Sequence, residues 1–330
     1  MCKTLLLDKS QVDIAGEIIK NGGLAAFPTE TVYGLGANAF DENAVRNIYK
    51  AKGRPCDNPL IVHIADKNML CDLVKNIPPK AYELMDKFWP GPLTVIMEKT
   101  DKVPSVVSGG LNTVAIRMPA NEIALELIKK SGVPIAAPSA NTSGKPSPTK
   151  AQYVMDDMSG KIDAVIDGGE CSVGLESTVL DMSGDVPALL RPGGVTYEQL
   201  TEVLGTVEQK FHCKEGETPR SPGMKYKHYS PNADVYVMRG DCTGIINDFC
   251  EKYEKIGVLY YSGIDVNPQC LCTLKCTSPE NYAKELFSAM REMDKKGAQI
   301  ILAEDVDDKG INLATKNRLY RAAAYKFIEK

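Results

Sequence analysis

Long apolar runs are absent from this chain. No stretch approaches the roughly 18 residues that a membrane-crossing helix requires, which sets a spanning role aside. The segment Met1 to Ser10 holds only Leu5, Leu6 and Leu7 before Asp8 interrupts it, too little for the apolar centre of a secretion signal, so a cytoplasmic location is expected. Paired Cys-x-x-Cys spacing is absent as well. Of ten cysteines, Cys2, Cys56, Cys71, Cys171, Cys213, Cys242 and Cys250 are scattered, and Cys270, Cys272 and Cys276 are spaced Cys-x-Cys-x-x-x-Cys. With no histidine in the last hundred residues, that cluster lacks the partners of a tetrahedral zinc site. A disulfide framework belongs to short secreted chains, so free, reduced thiols are expected.

Positive charge is in short supply too. The 39 Lys and Arg stand against 43 Asp and Glu, a formal net charge of −4. A nucleic-acid-coating domain is usually basic, so only a local basic patch stays open. Two common nucleotide fingerprints are missing. Gly144-Lys145 is followed by Pro146 and has Ser139 where a P-loop needs its first glycine. Gly34-Leu35-Gly36 lacks the third glycine of the dinucleotide motif and reads as turn geometry. A nucleotide site here has to be built another way.

What is present is an α/β pattern long enough for two cores, since 330 residues exceed a typical single domain. Over residues 1–208, short apolar runs at 24–27, 60–64, 93–97, 114–117, 134–137, 164–166, 178–181 and 188–190 alternate with amphipathic stretches such as 12–20, the segment from Asp41, and 121–130. That alternation predicts a twisted mixed sheet with flanking helices. Residues 209–232 are rich in Pro, Gly and charge and read as a linker, although Lys225, Lys227, His228 and Tyr229 and the glycine at Gly223 equip it as a gate. A small α/β domain over 233–330 follows, with strands expected at 235–238, 257–261 and 299–303 and helices at 242–255, 280–295 and 311–328. The chain contains no internal repeat and no low-complexity tract.

Four polar segments sit beside expected strand ends, where α/β sheets place ligands. They are Pro28–Asn38, Lys50–Pro55 leading to Asn58 and His63, Ala115–Pro119, and Ala137–Lys145; Leu175–Thr178 and Leu190–Gly194 extend the set. Taken singly, Lys50, Lys52 and Arg54 suit the negative end of a helix dipole. Ser139 and Asn141 suit a turn, and His63 suits a hydrogen-bonded core. Arg117 on an apolar strand asks for a carboxylate or phosphate partner. Together the segments offer cations, hydroxyls and amides for a polyphosphate beside a small zwitterion.

Lys52-Gly53-Arg54 with Ser139-Ala140-Asn141 matches the KxR…SxN signature of YrdC-type domains, and Pro28-Thr-Glu-Thr-Val-Tyr-Gly-Leu35 matches their N-terminal block. With His228-Tyr-Ser-Pro231 and the small C-terminal domain, nearly the whole chain resembles the two-domain threonylcarbamoyl-adenylate synthases of that family. The resemblance implies a YrdC-like first domain, a linker reaching over its active site and a Rossmann-like second domain. It implies an enzyme that joins L-threonine, bicarbonate or CO2, and ATP into threonylcarbamoyl adenylate and pyrophosphate. That product serves tRNA adenosine modification beside the anticodon through a transferase machinery, and Mg²⁺ accompanies the ATP. By the same resemblance Thr31, His63, Arg117, Ala137 and Ser177 line the threonine site. Lys52, Arg54, Asn58, Thr113, Ser139, Asn141, Ser147, Arg191 and Tyr229 hold ATP, with Lys52 and Arg54 as the catalytic pair and no protein metal ligand. Glu30 and Glu176 are the acids nearest these residues, without an assigned role. The alternative is a module that binds double-stranded RNA or tRNA without adenylate chemistry. Carbamoyl transfer in hydrogenase maturation would bring Cys-x-x-Cys motifs that are missing here, and dihydroxybutanone-phosphate synthesis shares only the broad fold.

Overall fold

The computed structural model describes residues 3–211, 219–221 and 228–330. The gate expectation on Gly223, Lys225 and Lys227, much of the linker, and the thiols of Cys2 and Cys213 lie outside the described residues. Those described group into two compact units: 3–143, 148–172, 176–211 and 219–221 in the first, and 144–147, 173–175 and 228–330 in the second.

The first unit contains strands β1 (Leu5–Leu7), β2 (Ala25–Phe27), β3 (Gly34–Asn38), β4 (Ile61–His63), β5 (Leu93–Glu98), β6 (Thr113–Arg117), β7 (Ile135–Ala137), β8 (Ala164–Ile166), β9 (Thr178–Asp181), β10 (Ala188–Arg191) and β11 (Glu208–Gln209). They form one mixed sheet in the order β1-β8-β2-β3-β7-β4-β6-β5-β9-β10-β11. Helices α1 (Val12–Lys20), α2 (Glu42–Lys52), α3 (Pro79–Phe88), α4 (Ser105–Ser108), α5 (Glu122–Ser131), α6 (Ala151–Met158) and α7 (Tyr197–Leu204) flank it. Alternate residues of the short strands feed two cores, as the pleat requires. Phe27 and Ile135 pack with α1 and α5 through Ile19, Leu127 and Ile128, while Ala26, Val62 and Ile116 pack with Ile48, Leu84 and Leu200. Helix α2 starts where the Asp41 carboxylate accepts the N–H groups of Asn43 and Ala44, and stops at Gly53 with φ 63°. That stop leaves Lys52 as the last helical residue.

Gly34 and Gly36 are not turn glycines; both lie in β3. A Cβ on Gly36 would stand 2.7 Å from Cγ2 of Ile135 and 2.9 Å from Cε1 of Phe27, on the two neighbouring strands. Glycine there lets three strands close up, and its poor strand preference hides β3 from a reading based on apolar periodicity.

The second unit has β12 (Asp234–Arg239), β13 (Ile256–Tyr260), β14 (Cys272–Lys275), β15 (Ile300–Glu304) and β16 (Phe327–Glu329), in the order β14-β13-β15-β12-β16 with every pairing parallel. Helices α8 (Cys242–Cys250), α9 (Pro279–Lys295) and α10 (Asn312–Ala322) connect them. The helix expected over 242–255 thus ends at Cys250, and that expected over 311–328 ends at Ala322. There Ala324 (φ 48°) and Tyr325 (φ 60°) turn the chain so that residues 327–329 add an edge strand beside β12. Two short stretches from earlier in the chain belong to this unit. Arg291 of α9 donates from Nε and Nη2 to the carbonyl of Pro146 at 3.0 and 2.5 Å, and the Ser230 N–H donates to Gly144 at 2.9 Å. Gly174 (φ 78°) passes so close to α9 that a Cβ would stand 2.2 Å from the Lys284 carbonyl oxygen. Among the described residues no helix is long and apolar enough to cross a membrane.

Candidate functional site

Lys52 is buried to 2% exposure, and its ammonium donates to the backbone carbonyls of Ser139 and Asn141. A lysine charge is held in an interior only where oxygens replace its water shell. The side chain therefore ties the end of α2 to the segment after β7, joining the two halves of the KxR…SxN signature. The Ser143 N–H returns the bond to the Lys52 carbonyl at 3.0 Å. Ser139 Oγ donates to Asn141 Oδ1 at 2.5 Å, and Asn141 Nδ2 donates to the Thr142 carbonyl at 2.8 Å. The Pro28–Asn38 segment joins the same frame, with the Ala140 N–H on the Tyr33 carbonyl and the Leu35 N–H on that of Pro138, both at 2.8 Å. Beyond Gly53, half-buried Arg54 donates from Nη2 to the carbonyls of Asn58 and Pro59 at 3.3 Å each. Asn58 is buried, and its Oδ1 has no hydrogen-bond partner among the described residues.

Strand registers sort the remaining residues. His63 lies opposite Arg117 and Ile61 opposite Ala115 on the parallel neighbour β6, while Ala137 lies opposite Ile61 on antiparallel β7. Thr113, at the start of β6, is therefore at the Asn58 end of β4, with Ser139 just beyond Ala137 on that side. Arg117 and His63 occupy the other end, with Ala137 between.

Arg117 is 3% exposed. Its Nη1 donates to Thr31 Oγ1 at 2.8 Å and its Nε to the Gly91 carbonyl at 3.2 Å. Its Nη2 lies 2.7 Å from Glu30 Oε2. That pair is close without hydrogen-bond alignment: Nη2 and both Glu30 oxygens are buried with no hydrogen-bond partner among the described residues. Thr31 is set by a turn in which Thr29 Oγ1 accepts the N–H groups of Thr31 and Val32 and lies 2.8 Å from Thr31 Oγ1. His63 meets Phe27 edge-on at 5.8 Å, and its Nδ1 is buried with no hydrogen-bond partner among the described residues. Burial first, and the Arg117 charge second, lower its pKa from 6.5 to about 3, so the imidazole is neutral near pH 7. Burial likewise pushes the Cys171 thiol up to about 12, keeping it neutral.

The frame continues through Gly91-Pro92. The Thr178 N–H donates to the Pro92 carbonyl at 2.9 Å, and Ser177 Oγ lies 2.8 Å from Thr94 Oγ1. Arg191 donates to Ser177 from Nε to the carbonyl at 3.0 Å and from Nη2 to Oγ at 3.1 Å. Arg191 is thereby joined to Ser177. Three residues were not singled out from the sequence: Gly91 and Thr94, and Glu30 as the neighbour of Arg117. Thr94 left a trace as the one hydroxyl in the apolar run 93–97, and Glu30 as an acid near the expected site residues, without its partner.

Ser147 and Tyr229 fall in the second unit. Ser147 is buried. Tyr229 (φ 65°) stacks on Phe287 with ring centres 5.1 Å apart, and the Arg318 guanidinium lies 5.8 Å from its ring. Among the described residues no group of three or more His, Cys, Asp or Glu side chains could hold a metal ion. The described cysteines are all free, and Cys250 and Cys270 lie 3.6 Å apart at sulfur.

Comparison with known proteins gives a consistent picture. The family model for Sua5, YciO and YrdC proteins, described as "Telomere recombination", matches residues 17–193, and that of the threonylcarbamoyl-AMP synthase C-terminal domain matches residues 195–324. The chain is 48% identical over 332 residues to the threonylcarbamoyl-AMP synthase of Pyrococcus abyssi, covering 98% of this chain and 97% of that one. It is 46% identical over 326 residues to that of Bacillus subtilis, covering 96% and 94%. The crystal structure of P. abyssi Sua5 complexed with L-threonine superposes with a TM-score of 0.94 at 47% identity, over 99% of this chain and all of the other.

Proposed function

Because this chain belongs to the Sua5–YciO–YrdC family in its two-domain threonylcarbamoyl-AMP synthase form, we propose that it condenses L-threonine, bicarbonate-derived CO2 and ATP into threonylcarbamoyl-AMP and pyrophosphate. The product passes in the cytoplasm to the machinery that modifies tRNA adenosine. The observation that carries this reading is the buried Arg117–Thr31 contact at one end of β4, with the Lys52-tied frame of cations, amides and hydroxyls at the other. An RNA-binding module without adenylate chemistry is set aside, because relatives matched over nearly their full length are named as synthases.

Arg117 grips the α-carboxylate of threonine through its Nη1 and Nη2 edge, in a forked geometry that lysine does not supply. Thr31, neutral His63, Ala137 and Ser177 complete that side. Lys52, Arg54, Asn58, Thr113, Ser139 and Asn141 take the nucleotide. Arg191, bonded to Ser177, belongs where the two substrates meet. The amine of threonine adds to CO2, an oxygen of the resulting carbamate attacks the α-phosphorus, and pyrophosphate leaves. No protein nucleophile is needed. Catalysis comes from positioning and from cations aimed at the developing charge. Mg²⁺, when bound with ATP, neutralises phosphate charge. Among the described residues no cluster of three His, Cys, Asp or Glu side chains is placed to hold a metal, so the residues present suit a metal that phosphate oxygens would carry.

The test is pyrophosphate release from ATP with threonine and bicarbonate added separately and together. Release that depends on both, with a threonine-bearing adenylate by mass spectrometry, is the expected result. Release indifferent to threonine would overturn the substrate, and no ATP consumption under any combination would overturn the enzyme.

A further inference from the structure

Glu30 is the unexplained group at the Arg117 end of β4. It is 8% exposed, and neither carboxylate oxygen has a hydrogen-bond partner among the described residues. Arg117 Nη2, at 2.7 Å, is misaligned for a hydrogen bond with it and is itself without a hydrogen-bond partner among the described residues. The other buried acid near the signature segments, Glu176, has a partner. A carboxylate removed from water without donors is costly, and the cost falls when a ligand supplies them. Arg117 meanwhile needs no help to stay in place, because Thr31 and Gly91 already fix Nη1 and Nε.

The local charge tally says what kind of ligand completes the site. Arg117 contributes one positive charge and Glu30 one negative. His63 and Cys171 beside them are held neutral by burial, and Glu170, which also acts on Cys171, is exposed and paired with Lys150 at 2.8 Å. The sum is zero. An anionic hydroxy acid would leave a buried excess of negative charge, and a simple amine the opposite. A zwitterion pairs both protein charges and adds none.

Resting on the functional reading above, we infer that Glu30 is a substrate-binding residue that accepts the ammonium group of the amino-acid substrate while Arg117 holds its carboxylate. Glu30 thereby restricts the site to α-amino acids as a class, before any side-chain selection.

Removing the charge from the protein and the amine from the ligand, singly and together, tests this. The probes are L-threonine and (R)-3-hydroxybutyrate, which keeps the carboxylate and hydroxyl and lacks the amine. Dissociation constants are measured by calorimetry for the full chain and for Glu30→Gln, with Glu30→Asp as a second variant that keeps a carboxylate. Glu30→Gln is expected to weaken threonine by at least about tenfold and 3-hydroxybutyrate by less than about threefold, with Glu30→Asp in between for threonine. Equal weakening of both ligands would overturn the proposal and make Glu30 a residue that acts through Arg117. Unchanged threonine binding in Glu30→Gln would overturn it as well. Failure of the functional reading itself looks different, as unaltered protein that binds no threonine, and it takes this proposal with it.

Discussion

His63 and Arg117 face each other in register across β4 and β6, and the guanidinium is the second cause, after burial, of an imidazole that stays neutral. The fold thus stabilises His63 without its proton, whereas an unfolded chain binds that proton near pH 6.5. The native pKa is depressed, so this contribution to stability is complete above about pH 6.5 and is lost as pH falls toward about 3. Across that window His63 should cost at most about 1.4 kcal/mol per pH unit. Thermal unfolding of the protein and of His63→Gln at pH 7.5 and 5 measures it: the variant is expected to lose less stability on acidification. Equal losses would mean that His63 is not buried neutral.

Arg117→Ala should act on one substrate. Removing a charge-assisted contact costs about 1.5–3 kcal/mol, or about 10- to 150-fold in the KM for threonine, and more where Glu30 is left buried beside no cation. The KM for ATP should move by no more than about threefold. Arg117→Lys is expected to recover little, since an ammonium cannot present the fork. Steady-state titration of each substrate decides it, and parallel rises in both KM values would refute the division of the site.

Lys52→Ala should act on two properties at once. Two carbonyls lose their buried donor, for a stability cost of about 1–3 kcal/mol, and the frame expected to hold ATP loses its tie. A lower Tm together with a raised KM for ATP is the expected pair of results. A raised KM with an unchanged Tm would mean that Lys52 serves the nucleotide alone.

Gly36→Ala tests the packing of β3. The added methyl lies inside the contact distance of Ile135 and Phe27, and overpacking of this kind costs about 1–3 kcal/mol. Because Phe27 is also the edge-on neighbour of His63, threonine affinity should fall along with Tm in calorimetric measurements. A variant as stable as the parent would show that the strands separate at no cost.

Much of the first sheet was legible because its strands are short apolar runs rich in β-branched residues, as in β5 and β6. β3 was not, since two glycines serve close packing there and give no apolar period. Near the C-terminus, an apolar pattern that continues past Ala322 concealed a turn and the edge strand β16. In the site, Arg117 was conspicuous as a charge on an apolar strand. The part played by Glu30 was not, because its partner is remote in sequence and only the sheet brings them together. For the same reason the Lys52 tie was invisible: a lysine at a helix end looks alike whether it faces solvent or two buried carbonyls.

The stretches 144–147 and 173–175 group with the second unit although both lie in the first two-thirds of the chain. A boundary drawn after residue 208 in the gene is therefore not the boundary that packing respects. A fragment ending there would carry a Pro146 carbonyl whose arginine had been left behind, and a glycine at 174 shaped to a backbone no longer present. Inheritance of the two halves is coupled in the same way. A recombination event that exchanged the C-terminal part would have to import a donor within reach of Pro146, and a helix whose surface at position 284 tolerates nothing larger than hydrogen at position 174.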